Sequence, residues 1–571
     1  MDNFKFSTLE YQRPDFEQFK KHCALLAEQV KNAKSYEEVK KVILDLEEKS
    51  SALDTATTIV FIRNTLDTSD SFYEKETEFL DNEYPTVMPA VIELYKTLIQ
   101  SSFAKEITED YGDQFLFKLQ FEVDKFNDDL IPFMQKEAQL TTSYQKLMAS
   151  AKIPFEGETL NLYGIQKYFE HPDREIRKRA FKAYSDFYHS NEEKMEQIFA
   201  DLIEVRNEMG KKLGFENFIP LGYMNQRRSD YGQEQVASFR EQVRKELVPL
   251  CSKLYEAQAK RIGVDKIMVY DEEFIFPDGN PELIGDEAFL VKEAQKMYHE
   301  LSPETGEFID FMLEHDLMDL SNKPNKASTG YMTTLTQYKA PFVFSCFNNT
   351  IGDIQVLTHE LGHAFAGYEA MRNQKTDLYY SMSTDIAEIH SMSMEQFSYP
   401  YAERFFGKDA DKFRFAHLQQ AITFVPFGVA VDEFQHIMYA SPQLTPKERT
   451  YEWHKLEEKY MPWRTYSDDE FMERGGYWYH KLHIFQYPFY YINYTLTTMG
   501  AMEFKKRYAE DPKAAWNDYL ELCKAGGSRS YLGLLKLANL SVPFEEGSVA
   551  KAISYAKDIL LKEIEKMEAT I

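Results

Sequence analysis

Residues 351–365 read Ile351-Gly352-Asp353-Ile354-Gln355-Val356-Leu357-Thr358-His359-Glu360-Leu361-Gly362-His363-Ala364-Phe365. Ile354, Leu357, Leu361 and Phe365 recur at the spacing of one helical face. Asn348, Asn349 and Thr350 ahead of them are capping types, and Asp353 suits a first turn. Just upstream the composition changes. Tyr331 to Tyr338 and Ala340 to Phe347 are rich in Thr, Val, Phe and Tyr, which predicts two short strands with a tight connection.

Outward from there the helical period dominates, over regions near 14–33, 86–105, 110–150, 190–213, 232–262 and 286–315. Ser35-Tyr36-Glu37-Glu38 fits a capping box, and His171-Pro172-Asp173 opens a helix bearing Ile176, Ala180, Tyr184 and Phe187 at helical spacing. Turn chemistry gathers at 276–281, 322–330 and 462–476, and Gly475-Gly476 and Gly526-Gly527 read as ordinary turns. The fold class is mainly α, with a small β-sheet beside the helix that carries the two histidines. We expect an amino-terminal helical lobe over 1–150 and a larger catalytic lobe over 151–571.

Charge and composition remove several function classes. A net charge of −27 lacks the basic footprint that phosphate binding needs, so nucleic acid and anionic membrane surfaces are not expected partners. Met1-Asp2-Asn3-Phe4-Lys5 has no basic region followed by an apolar core, so no signal peptide is expected. Ile484 to Met499 is the nearest approach to a membrane span, but Gln486, Pro488, Asn493 and several threonines break it, and it reads as an aromatic helix. Cys23, Cys251, Cys346 and Cys523 are far apart, which disfavours a disulfide framework and points to a reducing, cytoplasmic setting.

His359 and His363, four residues apart on a helix, face the same way and can converge on one metal ion. Glu360 lies about 100° round the helix from His359, placed to activate a metal-bound water without serving as a ligand. Two histidines on a solvated face are the bland alternative, so a third ligand decides. A hydrolytic zinc site takes three protein ligands and leaves a position for water. Ala366 and Glu369 occupy the places where one familiar extension puts a glycine and a third histidine, which excludes it. A carboxylate from a second helix remains. Over Ser383 to Phe397, Asp385, Glu388, Ser391 and Glu395 share a face at spacings of three and four. Glu388 is the expected ligand, with Asp385 and Glu395 orienting the histidines. Ile386, Ala387, Ile389, Met392, Met394 and Phe397 make this segment look buried, and a buried acidic cluster needs a cation. The expected cofactor is one Zn2+ per chain, though cobalt or manganese suits the same donors.

His359-Glu360-Leu361-Gly362-His363 together with Asp385-Ile386-Ala387-Glu388-Ile389-His390-Ser391-Met392-Ser393-Met394-Glu395 resembles the thimet oligopeptidase family of zinc peptidases, in its bacterial oligoendopeptidase F-like branch. Asp173 to Ala180 looks like that family's early helix, and Val431-Asp432-Glu433-Phe434-Gln435 also fits. Pro341 to Asn348 looks like its substrate-binding edge strand, and His483 to Tyr494 like the His-and-Tyr segment over the active site. The first 150 residues match only in being helical. The resemblance implies a two-lobed helical ellipsoid with a deep central substrate channel, one zinc ion, and endopeptidase action on short unfolded peptides.

On this reading Glu360 takes a proton from a zinc-bound water and passes it to the leaving amine. Tyr494 and His483, then Tyr487 and Tyr491, are the expected donors to the oxyanion. The strand Phe342 to Phe347 would pair with the substrate backbone. A carboxypeptidase or dipeptidase on the same ligands is the first rival, with Arg474 and Arg529 as cations for a free carboxylate. A non-catalytic peptide binder with a structural zinc is the second, and Glu360 speaks against it.

Overall fold

The computed structural model describes residues 4–323, 325–327, 329–347 and 351–569. The capping residues expected at 348–350 lie outside them. Helices dominate, and backbone proximity groups the chain into two compact units of three stretches each. The first holds Met1–Phe126, Glu282–Gly407 and Arg507–Leu540; the second holds Asn127–Pro281, Lys408–Lys506 and Ser541–Ile571. The stretch 1–150 thus falls across both, with its last residues, from Asn127 on, in the second.

In the first unit, helices Phe16–Asn32, Tyr36–Leu66, Met88–Ile99, Ala104–Tyr111 and Asp113–Asp124 close around Leu26, Val39, Ile43, Leu94, Leu98, Ile107 and Phe115. Ser35 is the N-cap of Tyr36–Leu66, but its hydroxyl makes no capping bond. Glu38 instead reaches one residue further, accepting from the Lys34 N–H at 2.7 Å, so the expected box is only half built.

Among the described residues, five short strands form two sheets. In the second unit, Ile153–Phe155 (β1) and Glu158–Leu160 (β2) make an antiparallel hairpin, turned by Glu156 and Gly157, both at positive φ. In the first unit, Met318–Ser321 (β3), Tyr331–Leu335 (β4) and Ala340–Phe347 (β5) lie in the order β3-β5-β4, with β3 parallel and β4 antiparallel to β5. The two expected strands and their tight connection are present; a helical turn at Thr336–Tyr338 and Lys339 at φ +48° close it. The expected edge strand is a different matter. β5 is the middle strand, paired on both sides, and the edges are β3 and β4. The apolar run Phe342-Val343-Phe344 gives the reason: both faces are buried, as a central strand requires. β3 escaped the sequence because four residues are too few to display alternation.

The motif helix, Ile351–Asn373, packs against β5, against the ligand helix Thr384–Phe397 and against Pro512–Ala525. A Cβ at Gly362 would lie 2.7 Å from the Ser391 Cα, so the two site helices approach backbone to backbone.

The second unit is built on long helices, among them Arg174–Lys212, Gln233–Ile262, Ala410–Ala440 and Ser548–Glu568. Asp173 caps the first as expected, accepting from the Glu175 N–H at 2.9 Å. The aromatic helix expected over 484–499 is interrupted. Leu482–Gln486 ends before a loop, and Ile492–Glu510 begins after it, because Phe489 takes a left-handed backbone at φ +62° after Pro488. Gly475 and Gly526 also have positive φ, in keeping with the expected turns. Among the described residues, no helix is long and apolar enough to cross a membrane.

Candidate metal centre

His359 Nε2 and His363 Nε2 stand 3.2 and 3.4 Å from the same oxygen of Glu388, Oε2. All three donor atoms lie within 4.8 Å of one another. A tetrahedron with metal–ligand distances of about 2.0–2.1 Å has edges of about 3.3 Å, so these two gaps are the size that a zinc ion fills. Two imidazole nitrogens and one carboxylate oxygen also form the donor set of a hydrolytic zinc site. The residues present therefore fit the ion that the sequence motif implies.

The ligands are held from behind. His359 Nδ1–H donates to Glu395 Oε1 at 2.6 Å, which fixes the tautomer and leaves Nε2 as the metal-binding nitrogen. The Ser391 hydroxyl donates to Glu388 Oε2 at 3.1 Å and to its carbonyl at 3.0 Å, explaining a serine three residues past the ligand. Asp385 is 1% exposed and accepts from the Ser383 hydroxyl. Burial opposes charge on Glu388, yet the adjacent His363 and His359 hold its carboxyl well below the usual range. Burial likewise opposes the His359 imidazolium, but hydrogen bonds to Glu388 and Glu395 prevail and raise it. A buried carboxylate between two imidazoles is a site that a cation completes.

Glu360 is half-buried on the motif helix. A Cβ at Gly330 would come within 3.9 Å of its Oε1, so the carboxylate faces the start of β4 across a residue with no side chain.

The His-and-Tyr segment belongs to the second unit. The ring of His483 lies 4.8 Å from that of Tyr491, 6.0 Å from Tyr487 and 6.1 Å from Tyr494, so the structure gathers all four residues expected there. Tyr490 joins them at 5.6 Å and was not anticipated; it also lies 5.3 Å from Tyr494, four residues further on. Tyr487 is 50% exposed, whereas Tyr491 is 6% exposed, with its phenol pushed well up by burial and by Tyr494 and Tyr477. Residues far off in sequence hold the bend. Gln435 accepts from the Phe489 N–H at 2.9 Å, while Arg228 donates to the Phe489 carbonyl and, at 2.7 Å, to Asn493 Oδ1. Of the two arginines considered for a free carboxylate, Arg474 is engaged by Glu192 at 2.6 Å, and Arg529 is exposed on the first unit.

A sequence model of the peptidase M3 N-terminal domain matches residues 6–126, and the model of peptidase family M3 matches 167–284 and 287–552. The chain belongs to peptidase family M3. Its fold superposes with a TM-score of 0.93 on PZ peptidase A, solved with an inhibitor, at 44% identity over 98% of this chain and 99% of that one. A structure described as an oligoendopeptidase F of Bacillus anthracis matches at 40% identity and TM-score 0.90 over the whole of both chains. Oligopeptidase PepF of Bacillus subtilis is 21% identical over 389 residues, 66% of this chain and 56% of that protein. The match thus spans little more than half the length of that curated relative. Family membership bears out the resemblance read from the two motifs, and among the described residues His359, His363 and Glu388 form the single metal group of this zinc metallopeptidase.

Proposed function

We propose that the protein is a zinc-dependent oligoendopeptidase that hydrolyses internal bonds of short, unfolded peptides. The observation that carries this reading is that His359 Nε2 and His363 Nε2 stand 3.2 and 3.4 Å from one oxygen of Glu388, with the carboxylate of Glu360 on the helix of the two histidines. A zinc ion held by these three supplies Lewis acidity, which polarises a peptide carbonyl and lowers the pKa of water towards about 7.

The chain's own groups do the rest. Glu360 accepts a proton from the attacking water and returns it to the leaving amine. Glu395 keeps His359 in one tautomer, Ser391 steadies Glu388, and Asp385 plays the matching part for the second histidine. Tyr494 and His483, with Tyr487, Tyr491 and now Tyr490 beside them, supply hydrogen-bond donors to the oxyanion. Within the sheet β3 and β4 each pair with β5 alone, so an edge rather than β5 is offered to an extended substrate backbone, and β4, which starts beside the Glu360 carboxylate, is the edge assigned that part. That mode of binding reads main chain more than side chains, and it requires an unfolded peptide. The proposal sets the enzyme in the cytoplasm, consistent with four cysteines that form no disulfide.

The test is mass spectrometry of a mixed pool of short peptides incubated with the protein, with and without chelator. Internal cuts that chelator suppresses are the expected result. Loss of terminal residues alone would replace this reading with a carboxypeptidase, and intact peptides with metal-loaded protein would replace it with a binding protein.

A further inference from the structure

The loop between β3 and β4, where the sequence shows turn chemistry over 322–330, encloses a cation. The Lys326 side chain has no exposed surface. Its three protons are shared among four acceptors. They are Asp319 Oδ1 at 2.5 Å and the carbonyls of Asp319 at 3.1 Å, Ser321 at 2.8 Å and Ser345 at 2.5 Å. The centre of the Phe344 ring lies 4.4 Å away. Asp319 and Ser321 flank the point where the pairing of β3 with β5 shifts register. An irregularity of that kind disrupts the ladder, and buried carbonyls need donors. Lys326 supplies them, so one side chain ties β3, β5 and the loop together.

The loop is also held on its other side, by the end of helix Tyr36–Leu66 and the residues after it. The Ala327 N–H donates to the Thr65 carbonyl at 2.8 Å, and the Asn325 carbonyl accepts from the Thr68 N–H at 2.8 Å and the Thr68 hydroxyl at 2.7 Å. The Cys346 thiol donates to the Ala327 carbonyl at 3.1 Å. Thr65 meets the Tyr331 hydroxyl at 2.6 Å, so the same helix end touches both the loop and the first residue of β4. Only four residues separate Lys326 from Tyr331, and the last of them, Gly330, is the one that the Glu360 carboxylate faces. So short a connection passes any movement at Lys326 on to the start of β4. Burying an ammonium is unfavourable unless its protons are bound, and here the atoms that bind them belong to the very elements whose relative placement they fix.

We propose that Lys326 is a positioning residue that sets where β4 stands relative to Glu360, and through it which bond of the peptide substrate meets the base. The inference rests on the proposed peptidase function, with β4 as the strand that receives the substrate. A backbone paired with β4 takes its place along the strand from the N–H and carbonyl groups of β4 itself. With β4 fixed against Glu360, each register of pairing presents one bond. With β4 released, neighbouring bonds also reach the base, and the original bond is cut more slowly.

Two variants test it. K326M removes the charge and keeps an unbranched side chain; D319N/K326M also removes the carboxylate charge left behind, which guards against misfolding from an unpaired ion. On a peptide with one dominant cleavage site, kcat at that site is expected to fall about a hundredfold, the cost of a misplacement on the order of 1 Å. KM and metal content should stay near wild type. The deciding readout is the product map by mass spectrometry, in which cuts at the adjacent bonds should rise to a share comparable with the original. An unchanged map in a folded, metal-loaded variant would overturn the proposal even if the rate fell, because a purely structural lysine affects stability and not the choice of bond. Loss of fold in both variants would overturn it as well. Absence of chelator-sensitive cleavage by the wild-type protein would overturn the peptidase reading instead, so the two failures are distinguishable.

Discussion

The metal group and the His-and-Tyr segment are both clusters of polar side chains, but they are built in opposite ways. The first stands on two regular helices, where His359 and His363 are one turn apart and Asp385, Glu388, Ser391 and Glu395 share a face. Every group in it is placed by helical geometry and by one close helix contact. The second is a loop between helices, bent at a left-handed Phe489 and tied down by Arg228 and Gln435 from distant stretches of chain. Precision comes from local repeat in the one and from tertiary hydrogen bonds in the other. The two should therefore fail differently when disturbed.

The largest effect is expected at the regular site. E360Q should lower kcat by about three to four powers of ten, since general base catalysis contributes up to that range. Metal content measured by mass spectrometry should stay at one per chain. Retained turnover would remove Glu360 from the base role. In the loop, Q435L strips the acceptor from the Phe489 N–H, and a misplacement on the order of 1 Å costs about a hundredfold. We expect kcat to drop by about that factor, with metal content unaltered and partial recovery in Q435E. A loss of metal instead would erase the contrast between the clusters.

E395Q probes the support behind His359. Such partners are worth about 10- to 100-fold in metal affinity, so chelator competition should show a weaker site while the peptide KM stays near wild type. Gly362→Ala should act on stability more than on chemistry. Its Cβ would press on backbone at 2.7 Å, and overpacking costs about 1–3 kcal/mol. A melting point lower by a few degrees is expected, and an unchanged one would show that the helices separate freely.

The same contrast governs what could be read from sequence. Residues on helices were legible: periods of three and four named the ligands, Glu395 and Ser391, and the structure finds them in mutual contact. What depends on partners far along the chain was not. Nothing local tells that β3 pairs with β5 and turns an expected edge strand into the centre of the sheet. Helical spacing of Tyr487, Tyr491 and Tyr494 suggested a continuous helix, and the carbonyl and N–H of Phe489 that break it are bound by residues 228 and 435.

Backbone contact at Gly362 and Ser391 also gives the metal group the character of a gauge. The gap between the histidine pair and Glu388 is set by two main chains in contact, which yield far less than side chains do. An ion of zinc's size fits that gap as it stands. Calcium takes about six to eight oxygen ligands, whereas two of the three donors here are imidazole nitrogens, so discrimination against it lies in the donors and not in the gap. A residue with no side chain thus sets the spacing that the three donors keep.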